Sequence, residues 1–322
     1  MFCFNSYPKG IQYLSRGSYS EVHSAIENNC KIVLKTQVVG HRYANGSNVR
    51  ISKTKFLISD LINTKRLSDL NSFPNGCNYC PNFSQLLNFY FVYSEDRIPT
   101  DNKRPNNSRK EAIITKLKFG GNALNRIKSL SPAAGLSIAS QLIASIAIAE
   151  EELEFEHRDL HLSNVLIDTT NEQFAEYRIN GNPFHIRLNG HFVTIIDTTF
   201  SRTKLKNEIA FNDLTRLFSR FGPNEKKELH RIYFEQKLLT QNNWKSFCPK
   251  TNLLWVKRIL TAIRVKVEKS EFSTNSESMA DYELIKKWES NALNYSSVSD
   301  FGQNCCALYR KNKVKKHFFI SF

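Results

Sequence analysis

The stretch that decides the fold of this chain runs from His157 to Ile167 and reads His-Arg-Asp-Leu-His-Leu-Ser-Asn-Val-Leu-Ile. It contains an Arg-Asp pair, an asparagine (Asn164) five residues after Asp159, and then an apolar run that predicts a strand. A second apolar run, 193–196, ends directly in another acid, Asp197. Acid and amide oxygens placed at the ends of two strands favour proton transfer and the binding of a hard cation.

The spacing His-Arg-Asp-x-x-x-x-Asn resembles the catalytic loop of protein kinases. This resemblance implies that Asp159 accepts the proton of a substrate hydroxyl, and that Asn164 and Asp197 bind the magnesium that holds the phosphates of ATP. A chance occurrence of the tripeptide is the alternative, but the full spacing and the two strand-like runs disfavour it. We therefore expect an α+β, bilobal protein-kinase-like fold, with a small β-rich N-lobe and a larger, mainly α-helical C-lobe.

The size and charge of the chain are compatible with this interpretation. Its 322 residues suit one two-lobed domain. The expected boundaries are 1–117 for the N-lobe, 118–121 for the hinge and 122–322 for the C-lobe. Lys and Arg total 45 against 30 Asp and Glu, giving a formal charge of +15. This excess favours acidic partners such as nucleic acid, nucleotide or anionic lipid, and an ordinary solvated surface is the alternative.

Three features of the sequence indicate in which compartment we expect the protein. The longest apolar stretch, 132–149, is interrupted by polar residues and runs into three glutamates, so it predicts a buried helix rather than a membrane span. The start, 1–13, lacks the charged-then-apolar layout of a secretory signal, so we expect a soluble intracellular protein without membrane contact. The seven cysteines are then expected to be reduced, and the pair Cys77 and Cys80 lacks the partner pair that a zinc site needs.

The segment between Leu14 and Val22 falls where kinases have their glycine-rich loop. Of the template Gly-x-Gly-x-x-Gly only the middle glycine, Gly17, is present, and serines Ser15 and Ser20 occupy the outer positions. Each serine adds a Cβ where the backbone approaches phosphate, so we expect weaker nucleotide binding. Leu14, Gly17 and Val22 are the predicted nucleotide contacts of this loop.

Lys35 ends a β-branched run after this loop and is predicted to bind the α and β phosphates. A solvent-facing lysine at a sheet edge is the alternative. Kinases pair this lysine with an acid on the next helix, and the sole acid in the helix-patterned segment 56–67 is Asp60. Because aspartate is one methylene shorter than glutamate, two interpretations stay open, Asp60 as the partner of Lys35 and Asp60 as a solvated helix residue.

A strand-like run at 112–117 leads into the predicted hinge. Its residues Lys118, Phe119 and Gly120 are expected to bind adenine through backbone groups, with Leu117 at the back of the pocket. These residues complete the predicted nucleotide site.

The helix before the catalytic loop has a clear start. Ser131 and Pro132 are typical of a helix N-terminus and open an apolar helix that runs through about Leu153. The glutamates within 150–156 follow, and we interpret them as a solvated acidic face rather than as a site for a basic substrate. The polar segment 94–110 predicts a mobile loop.

The residues after Asp197 narrow the resemblance. Thr198-Thr199 stands where most kinases have Phe-Gly, and the run 195–202 is similar to the I-I-D-Y-T-L-S-R of haspins. The run 155–161 matches the F-E-H-R-D-L-H of haspins, including His161 at the usual lysine position. Further matches, in order and within about residues 11–310, are Asn45-Gly46-Ser47, Phe119-Gly120-Gly121, Asn252-Leu253-Leu254-Trp255 and Leu293-Asn294-Tyr295-Ser296-Ser297.

The resemblance to haspins implies a monomeric serine/threonine protein kinase that uses ATP and Mg²⁺. It implies phosphorylation of a histone tail or nucleosome during mitosis, in the nucleus and on chromosomes, with the cytoplasm as a second location; the basic surface adds non-specific DNA contact. The residues carried over as catalytic are Asp159, Lys35, Asp60 and His161. Asp213 is expected to support the catalytic loop from below.

Two departures weaken the inference of a histone-tail substrate. Ten residues separate Arg202 from Asp213, whereas haspins carry a longer, acid-rich segment there. Asn122 stands where haspins have an acid after Phe-Gly-Gly. The degenerate glycine loop, the short side chain of Asp60 and the short segment before Asp213 support the alternative of a pseudokinase or scaffold that binds chromatin. The presence of every metal-binding and proton-accepting residue favours catalysis, and we expect activity without phosphorylation of the activation segment.

Overall fold

The computed structural model describes residues 9–16, 20–38, 54–72, 76–94, 110–270 and 276–309. The N-terminal part contains the strands β1 (Lys9–Arg16), β2 (Glu21–Glu27), β3 (Cys30–Val38), β4 (Leu86–Ser94) and β5 (Lys110–Lys118). They form one antiparallel sheet in the order β1-β2-β3-β5-β4. Helix α1 (Thr54–Asp69) lies between β3 and β4 in the chain.

Strand β3 is central in this sheet and carries Lys35. The turn from β2 to β3 consists of Asn28 and Asn29, which both have positive φ, 50° and 60°. Two such residues form the type of tight turn that matches the twist of a hairpin. The resulting register places Lys35 opposite Val22 on β2 and Thr115 on β5. Lys35 is therefore held between two neighbouring strands, and it is not at a sheet edge.

The C-terminal part is mainly helical. Its helices are α2 (Pro132–Leu153), α3 (Thr215–Phe218), α4 (Glu228–Thr240), α5 (Lys250–Glu268), α6 (Ser276–Asn291) and α7 (Val298–Asn304). Its strands are β6 (Asn122–Ala123), β7 (Val165–Thr169), β8 (Phe174–Ile179), β9 (Asn182–Arg187), β10 (His191–Ile195), β11 (Thr203–Leu205) and β12 (Glu208–Ala210). They pair as three small sheets, β10-β7-β6, β8-β9 and β11-β12. The predicted α+β fold, β-rich first and helical second, is confirmed.

Helix α2 is the centre of the C-terminal core. Ser131 caps its start, because the serine side chain accepts a hydrogen bond from Ala134 N at 3.2 Å, and Pro132 occupies the first helical position. The helix packs against α5, α6 and α7. Within the described residues it is the one helix long and apolar enough to cross a membrane, and 89% of its most apolar window is buried in the protein. The prediction of a buried core helix is confirmed.

Two Asn-Gly pairs make tight turns beside the strands of the active site. Alternating apolar residues around Asn180-Gly181 predict a hairpin, and β8 and β9 form it, with φ of 49° and 82° at the turn. Asn189-Gly190 makes the next turn, from β9 to β10. Most of the predicted mobile loop, 95–109, lies outside the described residues.

Candidate active site

The catalytic loop follows α2, and a buried ion pair shapes it. Arg158 has a φ of +65°, a conformation that costs a residue with a side chain about 1–2 kcal/mol. Its fully buried guanidinium donates to Glu156 at 3.0 Å. Glu156 also accepts hydrogen bonds from Cys248 N at 2.9 Å and from Thr251 Oγ1 at 2.8 Å. This network holds the backbone turn that presents Asp159.

An asparagine on α5 supports the loop from below. Asn252 Oδ1 accepts a hydrogen bond from His157 N at 3.0 Å, and Asn252 Nδ2 donates to Phe155 O at 2.8 Å. The prediction that Asp213 has this role is wrong. The carboxylate of Asp213 is exposed and accepts a hydrogen bond from Thr215 N at 2.9 Å, at the start of α3. A neutral amide from a later helix therefore replaces the expected acid.

The glutamates at the end of α2 are structural. The predicted solvated acidic face is wrong for Glu150 and Glu156, which are 5% and 0% exposed. Glu150 accepts a hydrogen bond from Ser299 N at 2.8 Å, and burial raises its pKa to about 8. Glu154 binds the guanidinium of Arg202 at 3.0 Å. These three acids hold elements of the fold together, so they are not available to a substrate.

The carboxylate of Asp159 has a partner that the sequence did not reveal. The hydroxyl group of Tyr233 on α4 donates a hydrogen bond to Asp159 Oδ1 at 2.5 Å. Burial raises the pKa of Asp159 well above its usual value, although the bond from Tyr233 opposes this shift. A raised pKa makes the carboxylate a better proton acceptor near neutral pH. His161, also predicted to be catalytic, donates its backbone N–H to Asp159 O at 2.8 Å.

Lys35 lies between two carboxylates. Its Nζ is 2.9 Å from Asp60 Oδ2 and 3.0 Å from Asp197 Oδ1, and it donates to Thr199 Oγ1 at 3.2 Å. Asp60 is only 2% exposed and also accepts a hydrogen bond from Gln37 Nε2 at 2.9 Å. The predicted pairing of Lys35 with Asp60 is thus present in the structure, and burial excludes a solvated Asp60.

The two threonines that stand in place of Phe-Gly join Asp197 to helix α1. Thr199 Oγ1 donates to Asp197 Oδ1 at 2.6 Å, and Thr198 Oγ1 donates to Asp60 Oδ1 at 2.8 Å. Asp197 itself has a φ of +63°. Hydroxyl groups at these two positions hold the acid at the end of β10 and the acid on α1 in one hydrogen-bonded cluster.

The electrostatics of this cluster favour the charged forms. Burial alone would lower the pKa of Lys35, but the carboxylates of Asp197 and Asp60 outweigh it and raise that pKa above its ordinary value. Burial alone would raise the pKa of Asp197, but the charge of Lys35 and the bond from Thr199 outweigh it and lower that pKa. Lys35 is therefore a cation and Asp197 an anion at neutral pH.

Asn164 and Asp197 offer oxygen ligands of the kind that Mg²⁺ prefers. Asn164 Nδ2 donates to Asp159 O at 2.9 Å, which leaves the amide oxygen available to a cation. Over the described ranges, Asn164 Oδ1 and Asp197 Oδ2 accept no hydrogen bond from the protein. The same ranges contain no group of three His, Cys, Asp or Glu side chains arranged for a metal. Two protein oxygens, completed by phosphate and water, fit magnesium in a nucleotide site.

The segment predicted to be the hinge, 118–121, passes very close to β7 and β10. Gly121 has a φ of +100°, and a Cβ at this position would lie 2.3 Å from Ile167 O. A Cβ at Gly120 would lie 2.9 Å from the side chain of Thr194. Glycine is required at Gly121 both by its backbone conformation and by the lack of space. The two glycines thus allow the connection between the two parts of the chain to lie directly on the strands of the active site.

The other predicted nucleotide contacts lie on the strands around the hinge. Leu14 is exposed near the end of β1, and Val22 is half-buried on β2. Lys118 is the last residue of β5, and Phe119 follows it. Gly17 lies outside the described residues. The contact of these residues with adenine or phosphate stays a prediction.

Comparison with known proteins decides the family. The sequence matches the family described as "Haspin like kinase domain" over residues 5–312, which is nearly the whole chain. The chain belongs to the haspin-like kinase family. The resemblance that the Asp-Thr-Thr motif and the catalytic loop indicate is thereby confirmed.

Individual relatives agree with the family match. The chain is 28% identical over 327 aligned residues to the Drosophila melanogaster "Serine/threonine-protein kinase haspin homolog", covering 93% of this chain and 55% of that protein. It is 30% identical to the Mus musculus "Serine/threonine-protein kinase haspin", covering 89% and 40%. It is 26% identical to the Arabidopsis thaliana haspin homolog, covering 87% and 48%. The haspin-like chain thus spans about half the length of these relatives.

Sequence reasoning missed three contributors to this haspin-like site. Gln37 lies two residues after Lys35 on the same strand, so the alternation of a strand could have placed it beside Asp60. Asn252 and Tyr233 come from helices that follow the catalytic loop by many residues, and no local pattern connects them with it. Contacts of this kind follow from packing alone.

Proposed function

We propose that this haspin-like domain transfers the γ-phosphate of ATP to a serine or threonine hydroxyl of a protein. The observation that carries the proposal is the position of Lys35, whose Nζ lies within 3.0 Å of carboxylate oxygens of both Asp60 and Asp197. Kinase catalysis needs the lysine, its acidic partner on the helix and the metal-binding acid to be in place together. A protein that only binds chromatin has no need of this buried arrangement.

Each residue has one task in the proposed reaction. Lys35 binds the α and β phosphates, and Asp60 holds Lys35 in position. Asn164 and Asp197 would hold Mg²⁺, which supplies neutralisation of the phosphate charge when bound. Asp159 takes the proton of the acceptor hydroxyl, and its raised pKa suits it to this task.

Thermal unfolding with Mg²⁺ and ATP, followed by transfer of radiolabelled phosphate, tests the proposal. We expect Mg²⁺ and ATP together to raise the melting temperature, because a ligand that binds only the native state stabilises it. We also expect labelled phosphate on an acceptor protein, and loss of this label in Asp197→Ala. Stabilisation without transfer, or no stabilisation, would favour the alternative function, a pseudokinase or scaffold that binds chromatin.

We further propose that the substrate is a histone tail within a nucleosome. The domain would phosphorylate it in the nucleus, on mitotic chromosomes. The resemblance to haspins supports the tail, and the charge of the domain supports the nucleosome. The ring of Phe221 makes tilted contacts with the rings of both His230 and Tyr233, so the connection before α4 lies close to the proposed catalytic base. The exposed cations of this region are Arg216, Arg220, Lys226, Lys227 and Arg231. Such a surface suits DNA phosphates beside the tail better than the tail's own positive charge.

Transfer to a histone tail peptide and to whole nucleosomes tests this substrate proposal. We expect a higher kcat/KM on nucleosomes, decreasing as salt rises because phosphate contacts release counterions. The double variant Arg220→Glu, Lys227→Glu should remove the advantage of the nucleosome over the peptide. Equal kcat/KM on both at every salt concentration would exclude the DNA contact. Labelling of non-histone proteins alone, dependent on Asp159, would keep the kinase and exclude the histone.

A further inference from the structure

Helix α4 contacts the catalytic loop along one face. The hydroxyl of Tyr233 donates to Asp159 Oδ1 at 2.5 Å. Three residues later on the same helix, Gln236 Nε2 donates to Arg158 O at 3.2 Å. Residues three apart on a helix share a face, so these two bonds form one contact surface. The catalytic base and the residue before it are thus both bonded to α4.

The ring of Tyr233 is fixed in an aromatic cluster. Its centroid lies 4.7 Å from that of Phe218, 5.1 Å from that of Phe221 and 5.7 Å from that of Trp255. Only 8% of Tyr233 is exposed. Moving the phenol away from Asp159 would break these three ring contacts and expose the apolar ring to water. The contact is therefore part of the packed core, and Tyr233 is not on a segment that could move away to open the site.

Tyr233 is also the one donor to the Asp159 carboxylate in the part of the chain that the structure describes. Most kinases have a lysine two residues after the base, and here that position is His161. The ring of His161 is directed elsewhere, with its Nε2 3.5 Å from Asn164 Nδ2. Asp159 Oδ1 is therefore held by the phenol, and Oδ2 is left for an acceptor hydroxyl.

We propose that Tyr233 is the positioning residue of the catalytic base, holding Oδ1 so that Oδ2 of Asp159 faces the acceptor. This proposal rests on the kinase activity proposed above and adds the residue that orients its base. In the transfer, Asp159 Oδ2 takes the proton of the acceptor hydroxyl while the acceptor oxygen bonds to the γ-phosphorus. The bond from that phosphorus to the departing ADP oxygen breaks, and Tyr233 keeps its own proton throughout.

The test compares Tyr233→Phe with Tyr177→Phe in the full chain, using Mg²⁺, ATP and nucleosomes. Both variants keep the ring and lose one buried hydroxyl, since Tyr177 is 0% exposed and donates to Asn82 Oδ1 at 2.6 Å, away from the site. For Tyr233→Phe we expect kcat to fall about 10- to 100-fold, because a misplaced catalytic group costs about this much. The KM for ATP and the thermal shift with Mg²⁺ and ATP should stay within twofold of wild type, about the limit of such a comparison. Tyr177→Phe should keep the wild-type kcat.

Each other result overturns the proposal in a distinct way. An unchanged kcat in Tyr233→Phe, with wild type active, would leave the kinase in place and reduce Tyr233 to a packing residue. A raised kcat would show that the phenol blocks the base. An equal fall of kcat in Tyr233→Phe and Tyr177→Phe would assign the effect to the stability lost with any buried hydroxyl group. No transfer by any of the proteins would remove the proposed function and this inference together.

Discussion

The two sides of the active site are built in different ways. On the nucleotide side, Lys35, Asp60 and Asp197 come from short motifs and meet through direct ion pairs. Asn164 belongs to the catalytic-loop motif and donates to Asp159 O. On the acceptor side, Asp159 is bonded to Tyr233, a residue 74 positions away on a helix with no recognisable motif. The nucleotide is chemically the same for every kinase, whereas the acceptor differs. The residues proposed to bind the nucleotide are therefore encoded in local sequence motifs, whereas the support of the proposed base depends on tertiary packing.

The largest effect is expected on the nucleotide side, from Lys35→Met. Loss of the cation that we propose binds phosphate should lower kcat/KM for transfer about 10³-fold, as for other preorganised charges in active sites. Radiolabelled transfer measures it. The matched control is Lys116→Met, because Lys116 forms its ion pair with Glu27 elsewhere on the same sheet. A Lys35→Met protein with more than about a tenth of wild-type kcat/KM would show that this side does not depend on the lysine.

The next effect concerns stability, and Asp60→Ala should reveal it. Asp60→Ala removes one of the two carboxylates beside Lys35 and leaves the buried amide of Gln37 without its acceptor, so the free energy of unfolding should fall by about 2–4 kcal/mol. Asp69→Ala on the same helix removes an exposed pair with Lys65, 2.5 Å apart, and should cost about 0.5 kcal/mol or less. Urea unfolding measures both. Similar losses in the two variants would contradict the buried, shared role of Asp60.

His157 joins the two sides, and it predicts a dependence on pH. Its Nε2 donates to Ile196 O at 3.0 Å, and its Nδ1 accepts a hydrogen bond from Asp159 N at 3.3 Å. Because an amide can only donate, the ring is neutral, and burial lowers its pKa from 6.5 to about 4. The unfolded chain therefore binds this proton at higher pH than the folded chain does. The contribution of His157 to the free energy of unfolding is fully present above pH 6.5 and is lost as the pH falls toward 4. The loss is on the order of 3 kcal/mol.

Urea unfolding of wild type and His157→Gln at about pH 7 and about pH 4.5 tests this prediction. Glutamine keeps one donor and one acceptor but does not titrate in this range. The variant should therefore lose less stability than wild type between the two pH values. An equal loss in both proteins would show that His157 does not carry the effect.

The smallest effect is expected from two glycine variants. They distinguish a lack of space for a side chain from a cost of backbone conformation at the predicted hinge. Gly121 and Gly181 both have positive φ, +100° and +82°, but a Cβ would meet Ile167 O only at Gly121. Gly181→Ala should cost about 1 kcal/mol through its backbone conformation. Gly121→Ala should lower the free energy of unfolding by about 1–3 kcal/mol more, because the backbone carbonyl of Ile167 cannot rotate away from the added methyl group as a flexible side chain could. Thermal unfolding measures the difference, and equal costs would mean that the hinge is not closely packed against β7.

The sequence predicted most of the nucleotide side, because its parts are defined by local pattern. The strand runs that end near Lys35 and Asp197, and the helix period around Asp60, each indicate both an element and the residue that it presents. The burial of Asp60 could not be decided in this way. It depends on hydrogen bonds from Gln37 and Thr198, which the tertiary packing of α1 brings to the carboxylate of Asp60.

The support of the acceptor side was not predictable to the same extent. The motif around Asp213 predicted the wrong residue, because Asn252 on α5 reaches the loop backbone while Asp213 is bonded within its own turn. Glu150 and Glu156 look solvated in sequence, yet backbone N–H groups and a buried arginine satisfy them inside the core. Tyr233 lies on α4, and no motif around it indicates that its side chain meets Asp159.

Phosphate transfer by wild type and by Asp159→Asn tests the central claim most directly. The substitution keeps the shape of the side chain and an oxygen that can accept the hydrogen bond from Tyr233, and it replaces the charged, proton-accepting carboxylate with a neutral amide. We predict that wild type labels its acceptor, that Asp159→Asn does so about 10²- to 10⁴-fold more slowly, and that both are stabilised equally by Mg²⁺ and ATP. Transfer at the wild-type rate by Asp159→Asn, or none by wild type, would contradict the account.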